Sequence, residues 1–237
     1  MAKATTKPTT EENWRIQDLN TWPGAFGIYK YSKQAIKLNI NSFIILFVLN
    51  IGVVGVTNSF GLIPDYGSSV ADLISVILNV FLSIATVIVL LDSIRGEKSD
   101  WLVALKKSTQ YFINYFVTSI LVSLILIGSL LALVIPFFFI APRMVNVFYH
   151  LIDKDMEIID SIKASWESTS NNVGKIYGIF GVNILIVLLA VTIIGLPFAI
   201  WFGIMYYAAS AIYYEYTTKA APVALKAPKT KKVAKKK

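Results

Sequence analysis

The sequence contains no cysteine and a single histidine, His150. The first absence excludes a disulfide framework and a thiolate metal site, and the second excludes any centre that needs two imidazoles. Charge is also scarce. Only 15% of the 237 residues are charged, whereas soluble domains carry about 25% because their surface has to meet water. A glycine-rich nucleotide loop and a paired-carboxylate or nucleophile–base constellation are likewise missing, so no catalytic residue, metal site or cofactor is assigned. Met1 to Glu12 lacks the apolar run of a cleaved signal peptide. The first span is therefore expected to act as an uncleaved membrane signal.

Apolar sequence is what the chain has in quantity. Hydrophobic residues make up 56% of it, and the mean hydropathy is +0.64. The polar surface that a globule of this size would need is absent, which implies lipid. The expected fold is an all-α, polytopic membrane helix bundle of about six transmembrane helices. Residues 1–21 form a polar, disordered N-terminus, 22–217 the membrane domain, and 218–237 a disordered Lys-rich tail. Pro23 suits the first turn of a short amphipathic segment. Span 1 runs from Ile40 to about Leu62, long enough at ~1.5 Å per residue for a ~30 Å hydrocarbon core. A loop with Gly61, Pro64, Asp65 and Gly67 follows, then span 2 from Val70 to Leu91. A second amphipathic helix, 99–110, precedes span 3 over 111–134. Ile135-Pro136-Phe137 reads as a tight hairpin leading to a short span 4 over 137–152. A third amphipathic segment, 155–168, has Ile159, Ile162 and Trp166 on one stripe. Span 5 covers 172–195, Leu196-Pro197-Phe198 is a second hairpin, and span 6 covers 198–217.

Orientation follows from the basic residues. With these spans, 21 of the 22 Lys and Arg fall on one side of the membrane, and the exception is Arg143. Excess Lys and Arg mark cytoplasmic loops, so a plasma membrane protein with both termini in the cytoplasm is expected. The second half also repeats itself. Ala104-Leu-Lys-Lys-Ser108-Thr109 matches Ala164-Ser-Trp-Glu-Ser168-Thr169, and Ile135-Pro136-Phe137 matches Leu196-Pro197-Phe198. The unit is an amphipathic helix, a long span, a proline hairpin and a returning span, with Ser108, Pro136, Ser168 and Pro197 as landmarks. A weaker first copy begins near Ser32.

The segment Asp160-Ser-Ile-Lys-Ala164-Ser-Trp-Glu-Ser168, leading into a long span and a Pro-Phe hairpin, resembles the membrane domain of some glycerophosphoryl diester phosphodiesterases and related bacterial multi-span proteins. The similarity covers roughly residues 22–217. It implies a membrane module without a known reaction. The enzymes of that family carry their chemistry on a separate soluble barrel with acidic metal ligands and histidines, for which this chain has neither the length nor the residues.

Arg143 is the most informative side chain, because a cation within a span costs about 2.5–3.5 kcal/mol on insertion scales and has to face the bundle interior or a wet cavity. Arg143, Asn146 and His150 fall at helical spacing and are expected to line a polar seam that contacts lipid phosphate or a small anion. The alternative is an ion pair with Asp92 or Glu215, or snorkelling toward headgroups. Asn50, Asn79, Asn114 and Asn183 are expected to hold helices together by hydrogen bonds. Phe137-Phe138-Phe139, Tyr206-Tyr207 and Tyr213-Tyr214 read as lipid contacts and interface belts. The tail has seven lysines from Lys226 to Lys237 and no acid, so it suits anionic headgroups as a partner. The leading functional expectation is a non-enzymatic module that organises lipids or partner proteins. The alternative is a small transporter for a lipid headgroup or anion, which would need a continuous polar cavity reaching mid-membrane.

Overall fold

The computed structural model describes residues 21–61, 68–132, 134–192 and 195–220. These residues form ten helices and, among them, no strand. They are α1 (Ile28–Leu38), α2 (Ile40–Gly61), α3 (Ser68–Ile94), α4 (Trp101–Ala132), α5 (Val134–Met144), α6 (Val147–Asp153), α7 (Ile158–Thr169), α8 (Val173–Ala190), α9 (Leu196–Tyr206) and α10 (Ala209–Ala220). Five stretches are long and apolar enough to cross a membrane: Asp72–Ile94, Trp101–Ala132, Ile135–Asp153, Val173–Ala190 and Leu196–Lys219. Counting the bent pair α1–α2 as one span makes six. The protein is an all-helical bundle with the composition of a multi-span membrane protein. The tail and the loop with Pro64 and Asp65 lie outside the described residues, as do residues 1–20.

Several boundaries differ from expectation, each for a local reason. Helix α1 begins at Ile28 rather than near Pro23, because Gly24 has a left-handed φ of 81° and the chain turns over Ala25–Gly27 first. The second amphipathic segment and span 3 are one continuous helix, α4. The expected span 4 is two helices, α5 and α6, with a break at Val145–Asn146. Helix α5 already runs through Pro136, which sits in its first turn, where a missing N–H costs nothing. Pro197 takes the matching place at the start of α9. Span 6 is similarly interrupted at Tyr207–Ala208, and α10 extends to Ala220, past the expected start of the tail.

The breaks are capped from neighbouring helices. Pro142, inside α5, has no N–H to give to the Phe138 carbonyl. The Tyr177 hydroxyl of α8 donates to that carbonyl instead. Where α5 ends, Ser165 Oγ of α7 donates to the Arg143 carbonyl (2.6 Å) and accepts from the Asn146 N–H (3.2 Å). One hydroxyl thus serves both sides of the gap, as buried backbone groups require. At the α9–α10 break, Ser32 Oγ of α1 accepts from the Ala208 N–H (3.1 Å). Asn39, at the 86° bend between α1 and α2, donates to Ser93 Oγ and the Glu97 carbonyl and accepts from the Ser99 N–H, each at 2.8 Å.

Helix α7 turns its small residues inward and only Ile162 of its apolar stripe packs on the core. Ser161, Ala164, Ser165, Ser168 and Thr169 are buried, whereas Ile159 is 54% and Trp166 39% exposed. Small residues let helix backbones approach closely, and in lipid an apolar side chain gains nothing by turning inward. The largest core cluster is apolar. Ile84, Ala85, Val89 and Ile94 of α3 meet Ile28 and Ile36 of α1, Ile176 of α8 and Ile212 of α10 in one cluster. Tyr206, Tyr213 and Tyr214 are buried in it, contrary to a belt role, while Tyr207, Phe138 and Phe139 are exposed. The buried tyrosines are tolerated because each hydroxyl has an acceptor: Ala25 and Asn172 carbonyls for Tyr206 and Tyr213, and Asp153 for Tyr214.

Candidate functional site

Two polar centres occur side by side on the α5–α6 limb. The first lies around Asn146 and His150. Asn146 Nδ2 donates to Thr217 Oγ1 of α10 (2.9 Å) and to Ser168 Oγ of α7 (3.3 Å). His150 Nε2 shares Ser168 Oγ at 3.2 Å, and its ring stands edge-on to Tyr214 with centroids 4.9 Å apart. Asn146, His150, Ser168 and Thr217 are all fully buried. Asn146 Oδ1 and His150 Nδ1 have no hydrogen-bond partner. This centre holds α6, α7 and α10 together.

The second centre is Arg143. Its guanidinium carbon lies 4.5 Å from the ring centroids of both Phe139 and Trp166, which meet at 6.4 Å. It rests in the notch between those rings, a cation–π placement stabilising by about 0.5–2 kcal/mol. Among the described residues Arg143 makes no ion pair, and its Nε has no hydrogen-bond partner. The proposed pairing with Glu215 is not present, because Glu215 is taken by Arg95 and Lys219. The structure therefore brings Asn146 and His150 together and places Arg143 elsewhere. The helix is interrupted between them, at Val145–Asn146.

A third centre escapes inspection of the sequence. Arg95, just beyond α3, pairs with Asp153 at the end of α6 (2.7 Å) and with Glu215 of α10 (3.3 Å). Tyr214 donates to the other Asp153 oxygen at 2.7 Å. Burial opposes the Arg95 charge, yet hydrogen bonding and attraction from Asp153 and Glu215 outweigh it and raise its pKa above the ordinary guanidinium value. The one sequence signal is general: Asp92, Asp153 and Glu215 each stand near the end of a returning span.

Of the four intramembrane asparagines, Asn50 donates to Asn79 Oδ1 at 3.4 Å and links α2 to α3. Asn183 turns back to its own helix, onto the Ile179 carbonyl. The Asn114 side chain is exposed. Landmark Ser108 is buried and bonds within α4 to the Leu105 carbonyl. The described residues contain no group of three or more His, Asp and Glu that would hold a metal ion. Searches of protein-family models, curated proteins and solved structures each returned no match to the chain.

Proposed function

We propose that the chain is a non-enzymatic membrane module that binds anionic lipid, and through it organises lipid or a partner protein, with Arg143 as one headgroup contact. The observation that carries this reading is the Arg143 guanidinium, seated on Phe139 and Trp166 with no carboxylate beside it among the described residues. Aromatic rings fix its plane and Nε is enclosed, which leaves the two terminal Nη groups for phosphate, to which a guanidinium fork is matched. Asn146 and His150, buried and bonded to Ser168, belong to the scaffold behind it. Their enclosure weighs against the transporter reading, which needs an open polar path. Arg143→Gln is expected to remove one bound phosphatidylglycerol per detergent-purified chain, while helical melting falls by no more than the lost cation–π contact, about 0.5–2 kcal/mol. Native mass spectrometry reads both species directly, and equal retention would sink the assignment.

The reading includes an orientation, with both termini cytoplasmic in a plasma membrane, supported by the one-sided lysines and arginines. The cysteine-free sequence makes this testable. A cysteine at exposed Ser170, before α8, should label only from the cytoplasmic side, and one at exposed Thr192, after α8, only from outside. The reverse pattern would invert the topology. The Lys-rich tail supports a further anionic-lipid contact on the cytoplasmic face.

The reading also includes a repeat of three units, α1–α3, α4–α6 and α7–α10, in keeping with the resemblance to the phosphodiesterase-associated membrane domain. Residues 28, 32, 35 and 39 then align with 161, 165, 168 and 172, and with 101, 105, 108 and 112. Ser32 and Ser165, the two serines that cap helix breaks, occupy the same place, and Asn39 and Asn172 both stand between an interfacial helix and its span. The first helix of each unit lies on the returning limb of another: α1 on α9, α7 on α5, and α4 on α3. Helix α3 has no break, and the aligned residue of α4 is Leu105, which has no hydroxyl to offer. That correspondence supports the three-unit reading.

A further inference from the structure

Sharing no residue with the Arg143 notch, a groove opens between α1, α8 and α9. Its volume is about 300 Å³, and its walls are apolar: Phe26, Tyr29, Val182, Leu185, Leu189 and Phe202. Val182, Leu185 and Leu189 recur at i, i+3 and i+7 along one side of α8, so the groove follows that helix for about 10 Å. Tyr206 adds no free polar group, because its hydroxyl is committed to the Ala25 carbonyl. Tyr29 packs on Phe202 with centroids 5.4 Å apart and forms the wall nearest α1.

Helix α1 supplies a cation beside the Tyr29 wall. It carries Lys30, Lys33 and Lys37 and no acidic residue. None of the three lysines makes an ion pair among the described residues. Lys33 follows Tyr29 by one turn and sets its Nζ 5.9 Å from the Tyr29 ring centroid. Lys175, the nearest cation on α8, is already spent on Asn172 Oδ1 and the Tyr216 hydroxyl. Apolar walls beneath an uncompensated cation make up a site for an anionic amphiphile. A cation beside the Tyr29 wall, with no acidic partner among the described residues, favours an amphiphile with an anionic head over an apolar partner helix.

We propose that this groove is a phospholipid site, holding one acyl chain against α8 and α9 while Lys33 pairs with an anionic headgroup phosphate. It rests on different residues from the Arg143 contact, so either can fail alone. The test is native mass spectrometry of the full chain in detergent, titrated with phosphatidylglycerol or phosphatidylcholine. Lys33→Gln is expected to weaken phosphatidylglycerol binding about fivefold, the discrimination attached to one lysine near a headgroup, and to bring it level with phosphatidylcholine. Leu185→Trp, at a side chain 54% exposed in the groove wall, should block both lipids. Phe26→Ala, at a residue outside the core, should weaken both and serves if the tryptophan variant misfolds. Arg143→Gln should leave this event in place. Equal binding of the two lipids to the unaltered chain would overturn the headgroup assignment, and full binding to both Leu185→Trp and Phe26→Ala would overturn the groove. Loss in Arg143→Gln with none in Lys33→Gln would transfer the lipid to the Arg143 notch and also overturn it.

Discussion

Arg95→Ala is expected to destabilise the bundle by about 3 kcal/mol, the lower end of the cost of orphaning a buried charge. The side chains of Asp153 and Glu215 are 7% and 14% exposed, and Arg95 itself 29%. Removing the guanidinium strands two carboxylates that cannot regain water without moving α6 and α10. The lower end applies because Lys154 and Lys219 each remain 3.5 Å from one of those carboxylates. Arg95→Lys should recover only part of the loss, since a single ammonium has to choose between two acceptors that the planar fork serves together. Unfolding in mixed detergent micelles measures the difference. The decisive variant adds Asp153→Asn to Arg95→Ala: it keeps an acceptor for Tyr214 but removes one stranded charge, so stability should rise. A further fall would show that the cost is not electrostatic.

That cluster marks where sequence reasoning stops. Spans are legible because a bilayer imposes a length, and runs such as Tyr111–Leu131 satisfy it without any knowledge of neighbours. The Arg95 contacts join residues 58 and 120 positions apart, and nothing local at Arg95 names Asp153 or Glu215. The Arg143–Asn146–His150 set is divided: Asn146 and His150 share Ser168, and Arg143 rests on Phe139 and Trp166. Helical spacing fixes a common face only while the helix is unbroken, and Pro142 lies just before the interruption at Val145–Asn146. The α7 stripe was visible, but spacing did not say which way it faces: Ile162 packs on Met144 and Val147 while Ile159 and Trp166 are exposed. Burial of Ile159 and Trp166 is the expectation in water, whereas in lipid the serine face is the one that packs.

Ser165→Leu is expected to cost about 3–5 kcal/mol, because it combines two faults. The Asn146 N–H and the Arg143 carbonyl lose their shared partner, each unsatisfied buried group costing about 1–3 kcal/mol. The fully buried site also has to take a larger side chain, for a further cost of about 1–3 kcal/mol. These terms do not add in full, since a clash that opens the α5–α7 contact lets other groups reach the exposed backbone. Ser165→Ala isolates the lost cap of two groups and should cost about 2–4 kcal/mol, since relaxation recovers part of the sum. Ser32→Ala should cost less, because Ser32 serves a single backbone group, the Ala208 N–H. The reciprocal change, Leu105→Ser, places a hydroxyl opposite the unbroken helix α3. It should yield no compensating bond and only the loss of apolar contact. If Ser165→Ala and Ser32→Ala both melt like the unaltered chain, the serines are not capping the breaks. The aligned positions 32, 105 and 165 would then share small size or chance rather than a role, and the three-unit arrangement would lose its main physical support.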